Sequence, residues 1–159
     1  MAHDTATDAP GGVRAPAAEL TILTEENQLP DWSSMDDLTD FMHRSLKPFE
    51  DPQPLVRAGL DKAFASGGFV VIATADRQLV GGLAMLRTGM SGYIPENLLL
   101  FVAVDPSTRG QGLGRRIIQA ALDRCDGDVK LHVEYDNPAK RLYERIGFTT
   151  KYAEMRYSG

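Results

Sequence analysis

Apolar and polar residues along the chain follow two different periods, and these periods divide the sequence into strands and helices. Strict alternation of polar and apolar residues is typical of a strand with one buried face, whereas a short, wholly apolar run is typical of a central strand buried on both faces. Asn97–Val104 is such a run. The other predicted strands are Glu19–Thr24, Phe69–Ala75, Leu79–Arg87 and Val129–Tyr135, with one or two closing strands in Phe148–Tyr157.

Helical periodicity and its start and stop signals predict four helices between these strands. Ser33 or Ser34 is a suitable first cap, and Asn137 with Pro138 after it begins the last helix well. Gly147 lies just past the end of that helix. The resulting order is strand, two helices, three strands, helix, strand, helix, strand, which favours a mixed sheet with helices on its faces. The predicted helices are Asp31–Lys47, Leu55–Ala65, Leu113–Cys125 and Pro138–Ile146.

Length and composition narrow the kind of protein. The 159 residues fit one domain over 19–159, preceded by a flexible tail rich in Ala, Pro and Gly over 1–18. A net charge of −5 argues against general nucleic-acid binding, although Arg109, Arg115 and Arg116 form a local basic cluster. The single Cys125 is typical of a reducing compartment, and no apolar run approaches a membrane span. We therefore expect a cytoplasmic protein with no nucleic-acid or membrane partner.

A glycine-rich loop joins the apolar strand to the third predicted helix. Gly110, Gly112 and Gly114 allow unusual backbone angles, and the helix start adds unpaired amides with a positive dipole end. Such a loop favours a pyrophosphate site. The dinucleotide fingerprint does not fit because it needs glycine where Arg115 stands, and a P-loop would need Gly-Lys-Ser/Thr, which is absent. An ordinary strand-to-helix turn remains an alternative.

The segment Arg109–Gly114, RGQGLG, resembles the coenzyme A signature Gln/Arg-x-x-Gly-x-Gly/Ala of the GNAT superfamily of N-acetyltransferases. A second match follows at Asn137-Pro138-Ala139 and Arg141–Phe148 (RLYERIGF). The resemblance implies an α/β fold with a mixed, mostly antiparallel sheet of six to seven strands and about four helices. It also implies acetyl-CoA as co-substrate and no metal.

The resemblance assigns donor binding to two backbone regions and one side chain. The backbone near Val102, Ala103 and Val104 would hold the pantetheine arm and the thioester oxygen, by the logic of an oxyanion hole. The glycine loop would bind the pyrophosphate. Many relatives have a contact residue seven positions before the tyrosine, a place that Asp136 holds here, whereas Asn137 makes the better helix start. The full set of predicted loop contacts is Arg109, Gly110, Gln111, Gly112, Leu113, Gly114 and Arg115, with Asn137 beyond it.

Catalysis would need a proton donor for the thiolate and a base for the amine. Tyr143 matches the family's general-acid tyrosine, and a phenol with pKa near 10 stays protonated at neutral pH. The candidate bases are Glu96, His132 and Glu134; Glu96 could instead be a solvated loop residue and His132 a structural histidine.

The activity expected from the resemblance is direct transfer of acetyl from acetyl-CoA to a primary amine in a ternary complex. The acceptor would be a small molecule or a peptide, and a homodimer is possible, as it is in many relatives. A non-catalytic acetyl-CoA-binding module and a transferase for a larger acyl-CoA remain alternatives. The resemblance implies that the acceptor is bound by parts of the chain that vary among relatives, here about Glu25–Gly68, which we call the variable segment, and the loop Thr88–Pro95. Acidic residues in the variable segment would suit a cationic acceptor: Glu25, Glu26, Asp31, Asp36 and Asp37.

Overall fold

A computed structural model describes residues 17–159 and shows one five-stranded sheet with strand order β1-β2-β3-β4-β5. Strands β1 to β4 pair antiparallel with one another, and β5 pairs with β4 in parallel. The mixed, mostly antiparallel sheet is therefore confirmed. The strands are β1 Glu19–Leu23, β2 Phe69–Ala75, β3 Gln78–Arg87, β4 Asn97–Val104 and β5 Val129–Leu131.

Four α-helices cover the sheet, as the pattern predicts. The Ser34 hydroxyl accepts from the Asp37 amide, and the Asp37 carboxylate accepts from the Ser34 amide, so this pair caps the first helix. Asp76 and Arg77, both at positive φ, make the tight turn between β2 and β3. The helices are α1 Met35–Ser45, α2 Gln53–Ala65, α3 Leu113–Arg124 and α4 Ala139–Ile146, with short 3₁₀ turns at Glu26–Gln28 and Pro106–Thr108.

Two apolar clusters lie on opposite faces of the sheet. Helices α1 and α2 pack Leu38, Phe41 and Leu60 on one face, together with Ile72 and Phe101 of the sheet. Helices α3 and α4 cover the other face; its members include Leu83, Leu99, Leu113, Ile117 and Tyr143. The sheet is thus the middle layer of three, and any ligand site must lie at its ends or edges.

A β-bulge in β4 changes which side of the strand its backbone groups face. Met85 pairs with Leu99 and Ala84 with Phe101, so Leu100 is an extra residue. Before the bulge, even-numbered residues face β3, since the Thr88 amide donates to the Glu96 carbonyl. After it, odd-numbered residues face β3, since the Asp105 amide donates to the Val80 carbonyl. The bulge reverses the alternation within one strand.

Four details of the predicted sheet are wrong or incomplete. The sheet has five strands rather than six to seven. The strand predicted at Val129–Tyr135 ends at Leu131, and no strand forms in 148–159, where Tyr152, Met155 and Tyr157 are exposed. Both segments alternate correctly, but alternation needs a partner strand to become sheet, and residues 17–159 provide none for them. Residues of β4 alternate between buried and half-buried, so its burial on both faces is only partial.

The predicted N-terminal tail lies outside the described residues, except for Ala17 and Ala18. Within 17–159, none of the helices combines the length and the apolar character that crossing a membrane requires. Helix α4 begins at Ala139, one residue after the predicted start.

Candidate functional site

The glycine loop presents a run of unpaired amides. Gly110 and Gly112 adopt φ of +80° and +78°, a left-handed conformation that favours glycine. In the described part of the chain, no group accepts a hydrogen bond from the six consecutive amides of residues 110–115; the next amide, of Arg116, donates to the Gly112 carbonyl. These amides curl around the N-terminus of α3, where the helix dipole adds positive potential. The loop has the donor set of an anion site.

Three elements converge beside this loop. A Cβ added to Gly110 or Gly112 would meet nothing within 4 Å, which leaves room for a ligand to approach the backbone. A Cβ on Gly114 would lie 3.5 Å from Leu142 Cδ2 and 3.6 Å from Val104 Cγ2. The start of α3, the end of β4 and helix α4 therefore meet at Gly114.

The C-terminal half of β4 has one unpaired edge. Strand β5 pairs with β4 only through Asn97, Leu98 and Leu99. Beyond the bulge, the Asp105–Val80 bond fixes the antiparallel pattern, so the backbone groups of Ala103 face β3. Those of Val102 and Val104 face the opposite side, where β5 has ended. Of the three predicted residues, Val102 and Val104 present open amides and carbonyls, and Ala103 does not.

Tyr143 lies on α4 and is nearly enclosed. Its side chain is 9% exposed and packs edge-on against Phe148, with ring centroids 6.0 Å apart. Among residues 17–159, no group hydrogen-bonds its hydroxyl. Burial raises the pKa of Tyr143 from 10.0 to about 12, because the phenolate would be poorly solvated there. The phenol therefore remains protonated throughout the neutral range.

Glu96 lies at the other end of β4 from the glycine loop, roughly 26 Å from Val104 along the strand. Its carboxylate accepts from the Asp128 amide at 2.8 Å and packs on Gly127. Hydrogen bonds from its own amide and that of Asp128 lower the Glu96 pKa, and Arg87 adds to this. The residue fastens the start of β5 to β4.

The other candidate bases lie just beyond β5. His132 and Glu134 are exposed, and they alternate with Leu131 and Val133, which pack in the α3–α4 cluster. Both therefore lie on the segment that diverges from β4. Because β5 runs parallel to β4 and its last pair is Leu99–Leu131, both residues follow the paired part of the strand towards the open end of β4, whereas Glu96 precedes it.

Asn137 uses its side chain locally. Its Oδ1 accepts from the Ala139 amide at 2.9 Å, which organises the first turn of α4. Asp136 is exposed. The cap position itself is held by Pro138 rather than by Asn137, so the predicted cap is one residue off, although Asn137 does satisfy the first amide of the helix. Its contact with a ligand stays a prediction.

The arginines of the basic cluster have different partners. Arg109 donates from Nη2 to the Ser45 carbonyl at 2.9 Å, and Arg116 donates to the Ala18 carbonyl at 3.0 Å. Arg115, exposed in the first turn of α3, has no hydrogen-bond or ion-pair partner in the described residues. It is thus the arginine best placed to meet a phosphate at the loop.

Sequence patterns did not reveal two contacts that shape the site. Ser45 carries no motif, and only the fold shows that its carbonyl holds Arg109. Asn97 is fully buried, and its Nδ2 donates to the carbonyls of Asp126 and Asp128 at 2.8 and 3.1 Å. The signal for Asn97 was available: a polar residue opens an otherwise apolar strand.

Comparison with known proteins shows which family has this fold and glycine loop. A family model described as "Acetyltransferase (GNAT) domain" matches residues 66–150, just over half of the chain. That range includes β2 to β5, the glycine loop and Tyr143.

Curated relatives include mycothiol acetyltransferases. The protein from Catenulispora acidiphila is 40% identical over 68 residues, which are 40% of this chain and 22% of that protein. The one from Rhodococcus erythropolis is 42% identical over 100 residues, 58% of this chain and 33% of that protein. The chain thus spans about a fifth to a third of the length of these relatives.

Solved structures share the fold over nearly the whole chain. A possible acetyltransferase from Clostridium difficile 630 has a TM-score of 0.65 at 18% identity, covering 91% of this chain and 99% of that one. The aminoglycoside N-acetyltransferase AAC(6')-Iy, solved in complex with CoA, also has a TM-score of 0.65, at 15% identity, with 95% and 98% covered. The glycine loop with its unpaired amides and the edge of β4 left open beyond β5 are consistent with the family match. The chain belongs to the GNAT acetyltransferase family.

Proposed function

We propose that this protein transfers an acetyl group from acetyl-CoA directly to a primary amine while both substrates are bound. The observation that carries the proposal is the run of six unpaired amides at residues 110–115, beside the unpaired edge of β4. One group of amides suits a pyrophosphate and the other suits an extended amide-containing arm, and coenzyme A contains both.

Donor binding would use mainly backbone groups. The amides from Gly110 to Arg115 would take the pyrophosphate, including those of Gln111 and Leu113, whose side chains need not contact it. The Arg115 guanidinium would add charge. Val102 and Val104 would hydrogen-bond the pantetheine arm much as a neighbouring strand would, since their outward amides and carbonyls have no partner strand.

The same strand edge would polarise the thioester. An amide aimed at the carbonyl oxygen stabilises the negative charge that develops there as nitrogen attacks. The new C–N bond forms, the C–S bond breaks, and the sulfur leaves as a thiolate that needs a proton. Tyr143 would supply it, because burial keeps its phenol protonated at the pH of the reaction. The proton that the attacking nitrogen loses as it becomes the amide would restore the phenol, so the step balances.

The amine must reach the thioester without its extra proton. An alkylammonium has a pKa near 10.4, so a base that accepts this proton, directly or through water, would speed the reaction. His132 and Glu134 are the candidates on the diverging segment. Glu96 stays a prediction, but its carboxylate is already engaged by Asp128 at the far end of β4.

The acceptor we propose is a small-molecule amine. Relatives are named as mycothiol and aminoglycoside acetyltransferases. Of the acidic residues in the variable segment, Asp36 pairs with Arg57 and Asp37 caps α1. Glu26 and Asp31 line a surface cavity of about 520 Å³, which would suit a cationic group. A panel of amines assayed for thiol release tests this, and a strict preference for anionic acceptors would contradict it.

Calorimetric titration with CoA tests the donor site. Gly112→Asp places a side chain at φ +78° and a negative charge in the anion site, so affinity should fall at least about 100-fold, or about 2.7 kcal/mol. Gly114→Ala is the matched control, since its Cβ would make only ordinary contacts. A wild-type protein that does not bind CoA, or an unaffected Gly112→Asp variant, would exclude the proposed site.

A further inference from the structure

Arg109 marks the boundary between a hydrogen-bonded turn and the unpaired loop. Before the loop, the amides of Asp105, Thr108 and Arg109 donate to backbone carbonyls, and the Ser107 amide donates to the Asp105 carboxylate. From Gly110 onward, the described chain offers the amides no partner through residue 115. Arg109 is the last fixed point before the segment that would bind the donor.

The Arg109 side chain turns away from the loop towards α1. Its Nη2 atom lies 2.9 Å from the carbonyl oxygen of Ser45, the last residue of that helix, 64 residues earlier in the chain. Helix ends leave carbonyls without backbone donors. Pro48 has no N–H, and the Phe49 amide donates to Leu46 instead, so the guanidinium supplies the missing donor.

Other charges hold this arrangement together. The Asp105 pKa is lowered, chiefly by the Ser107 hydroxyl and amide, with further contributions from the positive charges of Arg44 and Arg109. The Asp105 carboxylate is thus stabilised in its charged form by an arginine of α1 and by the arginine of the loop. A guanidinium engaged by a helix-end carbonyl on one side and attracted by a carboxylate has fewer donors available for a phosphate.

We infer that Arg109 is a positioning residue that fastens the donor loop to the end of α1, so that ligand binding at the loop and the placement of α1 are coupled. The inference rests on the proposed function for the identity of the ligand, CoA. It does not need that function for the anchor, which is the hydrogen bond from Arg109 to the Ser45 carbonyl. The ligand contacts are left to the backbone amides and to Arg115. Helix α1 lies within the variable segment, so the coupling would link the donor site to that part of the molecule.

Nitrogen NMR of the Leu46 amide tests the anchor without any ligand. The Leu46 nitrogen is bonded to the Ser45 carbonyl carbon, so its shift reports the hydrogen bond at that carbonyl. Arg109→Ala should move the signal, and Arg109→Gln, which keeps an uncharged –NH₂ donor, should restore part of it. Arg116→Ala, which loses an equivalent bond to the Ala18 carbonyl, should leave the signal in place. An unmoved Leu46 signal in Arg109→Ala would overturn the inference.

Calorimetric titration with CoA at low and high ionic strength tests whether Arg109 positions the loop or binds a phosphate itself. Arg109→Ala should weaken binding about tenfold at both ionic strengths, because a bond that holds the loop is lost rather than an exposed charge pair. Arg109→Gln should recover most of the affinity. CoA should also move the Leu46 signal in the wild type and not in Arg109→Ala.

A different pattern would identify Arg109 as a phosphate ligand and overturn the inference: a Gln variant as weak as the Ala variant, with losses that shrink at high salt. Unchanged affinity in Arg109→Ala would overturn it as well. If the wild type failed to bind CoA, the proposed function would fall, while the Leu46 shifts would still decide whether the anchor exists.

Discussion

The two ends of β4 have opposite hydrogen-bonding states. At the first end, Asn97 and Glu96 pair with β5 and with the turn before it, through backbone and side chains. At the second end, Val102 and Val104 expose backbone groups to a gap where β5 has stopped. The closed end fixes the position of β5, and the open end keeps the backbone groups that a ligand can use.

The largest effect at the open end should come from Tyr143→Phe. Removing the hydroxyl takes away the proton for the leaving thiolate, so turnover should fall about 100-fold or more while CoA affinity is retained. Steady-state kinetics beside calorimetry would show this. Tyr157→Phe, at a side chain that is 96% exposed, is the control. A Tyr143→Phe variant with normal turnover would remove the acid assignment.

Proline substitutions at two adjacent residues of β4 would test which side of the strand each backbone amide faces. Ala103→Pro removes an amide that faces β3 and should cost about 3 kcal/mol of unfolding free energy. Val104→Pro removes an amide that faces the gap, so it should cost clearly less stability yet reduce kcat/KM for acetyl-CoA. Denaturant titration and kinetics measure the two effects. Equal losses of stability would contradict the assigned directions.

The buried phenol also predicts a pH dependence. The Tyr143 pKa is about 12 in the folded protein and near 10 when unfolded, so the unfolded state ionises first as pH rises. The stabilisation is complete below pH 10 and is lost between about pH 10 and 12, with about 1.4 kcal/mol gone by pH 11. Tyr143→Phe should flatten this part of the stability curve, measured by denaturant titration. A slope identical to that of the wild type would contradict the burial.

The smallest effect should come from Glu96→Gln at the closed end. The carboxylate accepts from the Asp128 amide, and its lowered pKa means that this support is present at neutral pH and is lost on acidification through the folded pKa. Replacement should lower the melting temperature slightly and leave kcat/KM nearly unchanged. A large loss of turnover with unchanged stability would make Glu96 the catalytic base instead.

Sequence patterns predicted the elements that local rules determine. Strands β2 and β4 have the predicted bounds, since Gly68 and the Asp76-Arg77 turn delimit the first and Asp105-Pro106 ends the second. The glycine loop could be predicted because backbone positions with a left-handed conformation favour glycine, and glycine is visible in the sequence. The prediction for 148–159 was wrong, because the alternation is real but no strand in the described part of the chain lies beside it.

Features that depend on contacts between distant parts of the chain could not be predicted from the sequence. The openness of Val102 and Val104 follows from where β5 ends and from the register with β3. The partner of Arg109 lies 64 residues away. The distance of Glu96 from the glycine loop follows from the length of β4, but its bond to the Asp128 amide, 32 residues later in the chain, appears only in the fold.

The extra residue at Leu100 gives β4 something like a reading frame. Removing Leu100 itself would preserve that frame, because Met85 could still pair with Leu99 and Ala84 with Phe101 in a regular strand. Removing Val102 would shift it: Ala103 would take the place that faces the gap, Val104 would turn its backbone groups to β3, and both side chains would exchange faces. What this strand must preserve is therefore the count of residues between the bulge and the glycine loop as much as their identity. A one-residue deletion there would leave the strand apolar and turn one of its open amides inward.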